Sequence, residues 1–179
     1  MITLPHHCEF LSDAWLQEAK TFLEREIATR KDRLTGSFSV SERFGDAPPH
    51  MKFADNVAAW RMRFDGKVVS VSRDFDDKAD QIVEGDYQAA LTAAQCVGIL
   101  APGATEAMLR DVAAMFGKDA IRVKGKLEDG QAREIMALLH DHMGRRTVEN
   151  PDLAHRAARQ GLSGKIREME EQGFTILEH

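Results

Sequence analysis

The sequence predicts an α+β fold with a mostly antiparallel sheet. Three observations predict it: an amphipathic helix near the start, two alternating segments joined by a tight turn, and a second half in which helices flank short strands. The chain has 179 residues, of which 43% are hydrophobic and 30% are charged. This length and composition are typical of one globular domain with a full-sized core.

The first helix is predicted to begin after Ser12, a preferred N-cap residue, and to end near Leu34. Asp13 suits its first turn, because the helix dipole favours negative charge there. Apolar residues recur at helical spacing and form one buried stripe: Trp15, Ala19, Phe22, Leu23 and Ile27. The segment 37–44 then alternates, which predicts a strand with three inward residues: Phe38, Val40 and Phe44.

The strongest local signal is a hairpin in the segment 58–72. Asp65-Gly66 is predicted as its two-residue turn, because both positions must tolerate positive φ. This turn sets the register, with Met62 opposite Val69. One face of the hairpin then holds Trp60, Met62, Val69 and Val71.

The second half of the domain alternates between strands and helices. The segment 79–85 is predicted as a strand, and Asp86 as the N-cap of the helix that follows it. Thr105 is predicted to cap the next helix, which Gly117 ends. The inward stripe of that helix is Met108, Leu109, Val112, Met115 and Phe116. The last strand covers 120–125, and the final core helix covers 129–144.

Domain boundaries follow from a change in composition after Thr147. We expect residues 1–147 to form the domain and residues 148–176 to form a helical C-terminal extension, with a start signal at Asn150-Pro151. The extension has few large apolar residues, so we expect it to dock on the domain or on a partner subunit. Residues 177–179 are interpreted as the remnant of an expression tag.

Charge and composition disfavour several functional classes. The formal net charge is −5 and no basic stripe is present, which disfavours a nucleic-acid partner. No apolar run reaches the ~20 residues of a transmembrane helix, and the N-terminus lacks the features of a signal peptide. Cys8 and Cys96 lack metal-ligand or redox spacing, so we expect a reducing, cytoplasmic location.

Motifs for catalysis or cofactor binding are missing from the sequence. It has no Gly-rich phosphate loop, no G-x-S-x-G elbow and no H-E-x-x-H helix. We therefore predict no cofactor, no metal and no catalytic residue. The run 6–9 contains two histidines, a cysteine and a glutamate, but adjacent residues seldom supply a tetrahedral metal site. Arg61 and Arg63 share one predicted sheet face, where they either receive a carboxylate or a CoA phosphate or form cross-strand ion pairs.

Three stretches carry a resemblance to a known family. They are the tryptophan-bearing hairpin 60–71, the segment 79–87, and the closing signature 116–125 with its Phe-Gly-Lys and Ile-Arg-Val-Lys-Gly runs. Over roughly 12–146 the sequence resembles the sterol carrier protein type 2 family. It departs from the family at Lys126, where an acidic residue is usual, and in a longer stretch at 95–108.

This resemblance implies a five-stranded sheet covered by helices, with an apolar tunnel between the two layers. Family members bind sterols, fatty acids, fatty acyl-CoAs and other lipids without catalysis. Methionine suits the walls of such a site because it is unbranched and polarizable. The residues that we expect to bind the ligand are Trp60, Met62, Val69, Ile82, Tyr87, Leu91, Met108, Val112, Met115, Phe116 and Leu139. By spacing alone, each of them is more typical of an ordinary core, and only the family resemblance favours a cavity.

The predicted function is non-catalytic binding and transfer or sequestration of an apolar small molecule: a lipid, a sterol-like compound or a fatty acyl-CoA. Two alternatives stay open. One is a small enzyme that acts on an apolar substrate in the same cavity, with Tyr87, His140 or His142 as acid or base. The other is an accessory module that forms a homodimer or docks a lipid-metabolising enzyme through the extension.

Overall fold

A computed structural model describes residues 7–30, 32–34 and 36–148. Within these residues, a five-stranded sheet lies on one side of the core and helices lie on the other. The predicted C-terminal extension, apart from Val148, and the predicted tag remnant lie outside the described residues.

The helices are α1 (Asp13–Arg30), α2 (Tyr87–Ala94), α3 (Ala104–Phe116) and α4 (Gly130–Gly144). The strands are β1 (Cys8–Glu9), β2 (Phe38–Gly45), β3 (Ala58–Phe64), β4 (Val69–Ser72), β5 (Gln81–Asp86), β6 (Ile121–Gly125) and β7 (Thr147–Val148). Two single-turn 3₁₀ helices, Pro49–Met51 and Ala54–Asn56, lie between β2 and β3. In the part of the chain that is described, no helix combines the length and apolarity needed to cross a bilayer.

The five-stranded sheet has the order β4-β3-β2-β5-β6. The β2–β5 pair is parallel, and the other three pairs are antiparallel. The α+β class and the mostly antiparallel five-stranded sheet are thus confirmed, with one parallel pair that makes the sheet mixed. The parallel pair arises because the chain runs out through β3 and β4 and returns past them to the free edge of β2.

A second, two-stranded sheet joins the two ends of the domain. β1 and β7 pair in parallel, with Cys8 opposite Thr147. Thr147 also accepts a hydrogen bond on its Oγ1 from Trp15 Nε1, at 2.9 Å. Strands of two residues are too short to show alternation, so this closure could not be predicted from the sequence.

The hairpin has the predicted faces but a different register. Phe64 pairs with Val69 and Met62 pairs with Val71, so the connection is a four-residue loop. Asp65 Oδ1 accepts hydrogen bonds from the backbone N–H groups of Lys67 and Val68, both at 2.9 Å, and this Asx-type turn replaces the predicted two-residue turn. A shift of two residues preserves the alternation, so the predicted inward residues still share one face.

Helix α1 follows its sequence signals closely. Ser12 Oγ accepts a hydrogen bond from Trp15 N at 3.2 Å, and Asp13 lies in the first turn. The predicted stripe is buried. The helix packs over β4 and against α4, so it covers one half of the inner sheet face.

Helix α3 differs most from its prediction. It begins at Ala104 after Gly103, whose φ of 77° only glycine adopts without strain, so Thr105 is not the cap. Of the predicted inward stripe only Val112 is buried, while Met115 is 61% exposed and Phe116 is 43% exposed. The reason is its position: α3 packs on α2 and on the edge strand β6, so one side of its stripe meets no covering layer.

Candidate functional site

A cavity of about 360 Å³ lies between the inner sheet face and the helices. Its sheet wall comes chiefly from Val40, Phe44, Trp60, Val83, Ile121 and Val123. Its helical wall comes chiefly from Ala90, Met108, Leu109, Met136, Leu139 and Met143. Polar side chains reach it from Glu42, Gln81, Thr105, Arg133 and His140. The cavity is thus an apolar space with a few polar groups in its walls, as in small-molecule sites.

Small residues over this part of the sheet leave the space open. Ala90, Ala93 and Ala94 of α2 and Ala137 of α4 border the cavity. An alanine side chain ends at Cβ, so at these four positions the helices do not fill the space between themselves and the sheet. The cavity follows directly from the sequence of α2, YQAALTAA.

Three of the residues predicted to bind a ligand lie in the walls of this cavity: Trp60, Met108 and Leu139. Their role in ligand binding stays a prediction. Met62, Val69 and Leu91 are buried in the main core instead. Met62 and Val69 belong to the correct sheet face, but they lie toward its β4 edge, the part of the sheet on which α1 packs.

Ile82 lies on the opposite face of the sheet from the one predicted. Its partner in β2 is Ser41, whereas the neighbouring Val83 pairs with Glu42 and borders the cavity. The apolar pair Ile82-Val83 fits either phase of an alternating strand, so the sequence did not decide between them. The pairing with β2 decides it.

The other predicted site residues also lie away from the cavity. Tyr87 is 1% exposed, and its hydroxyl donates to Phe10 O at 2.9 Å. Val112 packs in a small separate cluster with Ala89 and Ala93. For Met115 and Phe116 the predicted inward placement is wrong, because both side chains point out of the core.

Glu42 is an acidic residue of the cavity that the sequence interpretation missed. It lies in β2 between Val40 and Phe44, directly opposite Trp60 in β3. Trp60 Nε1 donates a hydrogen bond to Glu42 Oε2 at 2.7 Å. The signal was present in the alternation, since residues 38, 40, 42 and 44 share one phase and three of them were assigned inward. A carboxylate in that phase marks a polar group aimed into the core.

The environment of Glu42 favours its neutral form. Burial raises the pKa of this carboxyl to about 7, and the hydrogen bond from Trp60 opposes only part of that rise. No salt bridge to Glu42 occurs among the described residues. Its other oxygen, Oε1, makes no hydrogen bond within the described part of the chain, yet it is not fully enclosed by protein atoms. Oε1 therefore opens toward the cavity.

His140 is a second ionisable group in the wall. Burial lowers the pKa of its imidazole, and the charge of Asp141 and the nearby backbone groups of Cys96 and Ala93 offset only part of that effect. Its Nε2 is buried and has no hydrogen-bond partner among the described residues. At neutral pH the ring is therefore uncharged. The alternative base His142 lies elsewhere: its Nε2 is 2.7 Å from Glu18 Oε1 and its ring packs on Phe22.

Arg133 is the only cation among the described residues that border the cavity. Its guanidinium donates to the carbonyls of Leu127 and Glu128, at 2.7 and 2.8 Å. Those partners fix it beside the loop between β6 and α4. Arg61, by contrast, pairs with Asp74 at 2.8 Å, which agrees with the ion-pair interpretation of the polar sheet face.

Both tryptophans of the chain border the cavity. The rings of Trp15 and Trp60 meet edge to face, with centroids 5.2 Å apart. Trp60 also carries the hydrogen bond to Glu42. Intrinsic tryptophan fluorescence therefore reports on whatever enters this space.

Comparisons with known proteins give structural likenesses only. No protein-family model and no curated protein matches the chain. Among solved structures, the chain is similar to a crystal structure of sterol carrier protein 2, at 17% identity and a TM-score of 0.45, over 78% of this chain and 100% of the other. It is also similar to a conserved hypothetical protein of Thermus thermophilus, described as a suggested sterol carrier protein, at 16% identity and a TM-score of 0.44, over 83% and 97% of the two chains.

A third similar structure is a ubiquinone synthesis protein, UbiJ-SCP2, at 16% identity and a TM-score of 0.41, over 73% of this chain and 88% of the other. All three are of the sterol carrier type that the sequence resembles. At these identities the similarity concerns the fold alone.

Proposed function

We propose that this protein binds one apolar small molecule reversibly in the cavity and holds it without chemical change. The molecule is a lipid, a sterol-like compound or the acyl chain of a fatty acyl-CoA. The observation that carries the proposal is the cavity of about 360 Å³ between the sheet and the alanine-bearing helices, with mostly apolar walls. Interiors are normally close-packed, so a space of this size is costly unless a guest fills it.

The size of the cavity suits such a guest. Small-molecule sites measure about 300–1,000 Å³, and this one lies at the lower end of that range. Burying about 300 Å² of apolar ligand surface contributes roughly 7 kcal/mol before the costs of association. Since these costs reduce the net value below 7 kcal/mol, binding should be sought at dissociation constants from about 10 μM to 1 mM.

The walls are also able to adapt. Met108, Met136 and Met143 border the cavity. Their unbranched side chains change rotamer at low cost and make favourable contacts with many apolar shapes. This composition suits a carrier that accepts a class of molecules better than an enzyme that fixes one substrate in one pose.

The proposal is tested by asking what the purified protein contains and what it takes up. Mass spectrometry of an organic extract should find one lipid-like molecule per chain, and the extracted protein should bind 10-bromodecan-1-ol, whose bromine quenches Trp15 and Trp60. Ala137→Phe places a ring in the cavity and should weaken this binding at least tenfold. Ala114→Phe makes the same change at an exposed position of α3 and should leave binding unchanged. Equal binding by both variants would show that the probe sits elsewhere.

An enzyme acting in the same cavity is the second candidate, and Glu42 is the observation that favours it. A carboxyl with a pKa of about 7 is matched to proton transfer at neutral pH, and His140 borders the same space. Incubation of the extracted ligand with the protein distinguishes the two functions. A carrier returns the ligand with its mass unchanged, whereas an enzyme converts it and loses that activity in Glu42→Gln.

The accessory function depends on the C-terminal extension and stays a prediction. A molecular mass that rises with concentration, and that falls to the monomer when residues 150–176 are deleted, would support it. Retained ligand binding in the shortened protein would show that carrying and assembly are separate properties.

A further inference from the structure

Glu42 gives the apolar cavity a hydrogen-bonding point on the central strand of its sheet wall, in addition to Gln81 at the start of β5. β2 is the central strand, so Glu42 is flanked by Trp60 on β3 and by Val83 on β5. Within its own strand, the residues of the same phase are Val40 and Phe44. Every one of these neighbours is apolar apart from the indole N–H of Trp60. The Glu42 carboxyl therefore has no counter-ion beside it among the described residues, and only its Oε1 atom is available to a molecule in the cavity.

The hydrogen bond from Trp60 orients the neutral carboxyl. An indole N–H is only a donor, so Oε2 must act as acceptor toward it. In the neutral acid the accepting oxygen is the carbonyl oxygen, and the proton then resides on Oε1. The O–H group of Glu42 is therefore formed by Oε1, the oxygen that does not bond to Trp60, and it needs an acceptor from the cavity.

We propose that Glu42 is the polar anchor of the cavity, and that the ligand is an apolar molecule with a neutral oxygen, a hydroxyl or a carbonyl, at the place where it meets Oε1. This inference rests on the proposed function and specifies its ligand class. A pure hydrocarbon in the cavity would cover the half-buried O–H without offering it an acceptor, at a cost comparable to a lost hydrogen bond. A carboxylate at this point would bury a full charge among apolar side chains, whereas Arg133 at the β6–α4 loop is the better place for an anion.

The retention of a carboxyl at this position supports a role in binding. A valine or leucine would satisfy the alternation of β2 and pack against Val40 and Phe44. Instead the protein has a half-buried acid here, and that acid accepts a hydrogen bond from the tryptophan which borders the same space. Groups that cost stability in this way are typical of binding and catalytic sites. The competing account is that a water molecule alone satisfies Oε1.

The test compares two probes that differ only in the oxygen. The dissociation constants of 10-bromodecan-1-ol and 1-bromodecane are measured by tryptophan quenching at pH 5.5, below the pKa of about 7 at which Glu42 ionises. For each protein, the dissociation constant of the alcohol is divided by that of the bromoalkane. This ratio is then compared between each variant and the wild type, because the difference in aqueous solubility between the two probes cancels in that comparison. One hydrogen bond should favour the alcohol by roughly three- to tenfold.

Two substitutions at the anchor give opposite expectations. Glu42→Leu should remove the preference for the alcohol, while Glu42→Gln should keep it, because the glutamine amide accepts from Trp60 and donates into the cavity as the neutral acid does. Glu106→Leu makes the same chemical change at an exposed position of α3 and should keep the wild-type ratio. A ratio that is the same in Glu42→Leu and in the wild type would overturn the anchor and leave water as the partner of Oε1.

The outcomes separate the anchor from the function on which it rests. If both probes bind with no dependence on Glu42, but binding falls in Ala137→Phe, the carrier function stands and the anchor is wrong. If neither probe binds any form of the protein, the proposed function itself fails. If Glu42→Leu does not fold, the wild-type protein is tested with bound 2-undecanone instead. A hydrogen bond from Glu42 should lower the infrared stretching frequency of the ketone carbonyl below its value in heptane. An unshifted band would refute the anchor.

Discussion

The two halves of the inner sheet face have different coverings. The β3–β4 half is covered by α1, whose large side chains include Trp15, Leu16 and Phe22. The β2–β5–β6 half is covered by α2 and α4, which present several alanines to it. The first half is filled as far as Trp15 and Trp60, which border the cavity over the second half. Whether a part of this sheet face forms a solid core or a cavity is thus decided by the helix that covers it.

The largest effect should come from truncation in the filled half. Leu23 of α1 is 0% exposed, so Leu23→Ala should lower the free energy of unfolding by about 3–5 kcal/mol. Leu109 of α3 borders the existing cavity and is only half-buried, so Leu109→Ala should cost less than about 2 kcal/mol. Urea unfolding of both variants measures the difference. Equal losses would show that the two halves are packed alike.

A pH-dependent effect of similar size should arise at Glu42. Its pKa is about 7 in the folded protein against an ordinary 4.5, so between these values the folded state holds a proton that the unfolded state has released. The free energy of unfolding therefore falls as pH rises from 4.5 to 7, by on the order of 3 kcal/mol.

Glu42→Gln removes this ionisation and should make the protein more stable than the wild type at pH 8. Below pH 4.5 the two should unfold at nearly the same urea concentration, because Glu42 is then neutral in both states. His140 and Arg133, the other ionisable groups that border the cavity among the described residues, are common to both proteins and do not contribute to the difference. A stability difference that is constant from pH 4 to pH 8 would contradict the buried, unpaired carboxyl.

Enlarging an alanine should have opposite consequences in the two halves. Ala19 of α1 is 0% exposed within close packing, so Ala19→Leu should destabilise by about 1–3 kcal/mol. Ala94 of α2 borders the cavity, so Ala94→Leu has room and should change the stability by less than about 1 kcal/mol while it weakens probe binding. Thermal unfolding without ligand, followed by tryptophan quenching, tests both expectations. Destabilisation by Ala94→Leu as large as that by Ala19→Leu would mean that the space is not available.

The smallest effect is expected at Tyr87, which the sequence interpretation placed in the binding site. Tyr87→Phe removes the hydrogen bond to Phe10 O and should cost about 1 kcal/mol of stability. Because Tyr87 does not border the cavity, the dissociation constant of 10-bromodecan-1-ol should stay the same. Tenfold weaker binding of 10-bromodecan-1-ol by Tyr87→Phe would show that Tyr87 belongs to the binding site after all.

The fold was predictable where one physical signal acted alone. Alternation placed Trp60 and Met62 on the inner face, and the capping residues Ser12 and Asp86 marked two helix starts correctly. The predicted hairpin register was wrong because an Asx-type turn at Asp65 formed in place of the two-residue turn that the same residues favour. Ile82 was placed on the wrong face because two adjacent apolar residues fit both phases.

The site was less predictable than the fold because it depends on what is missing from the interior. Apolar periodicity identifies side chains that become buried, but it does not show whether they fill the interior completely. Met62, which lies in the filled core, and Trp60, which borders the cavity, therefore have the same sequence signal. Two features of the sequence do carry the missing information: the alanines of α2 and the acidic residue at position 42 in an inward phase. Both were visible in the chain, and neither is an apolar stripe.

The most direct test of the central claim is a crystal structure of the protein grown with 10-bromodecan-1-ol, in which anomalous scattering locates the bromine. The alkyl chain and its bromine should lie inside the cavity, among residues such as Met108 and Leu139, with the hydroxyl within hydrogen-bond distance of Glu42 Oε1. A bromine found only on the outer surface, for example beside the exposed Phe116, with the cavity walls collapsed onto one another, would contradict the claim.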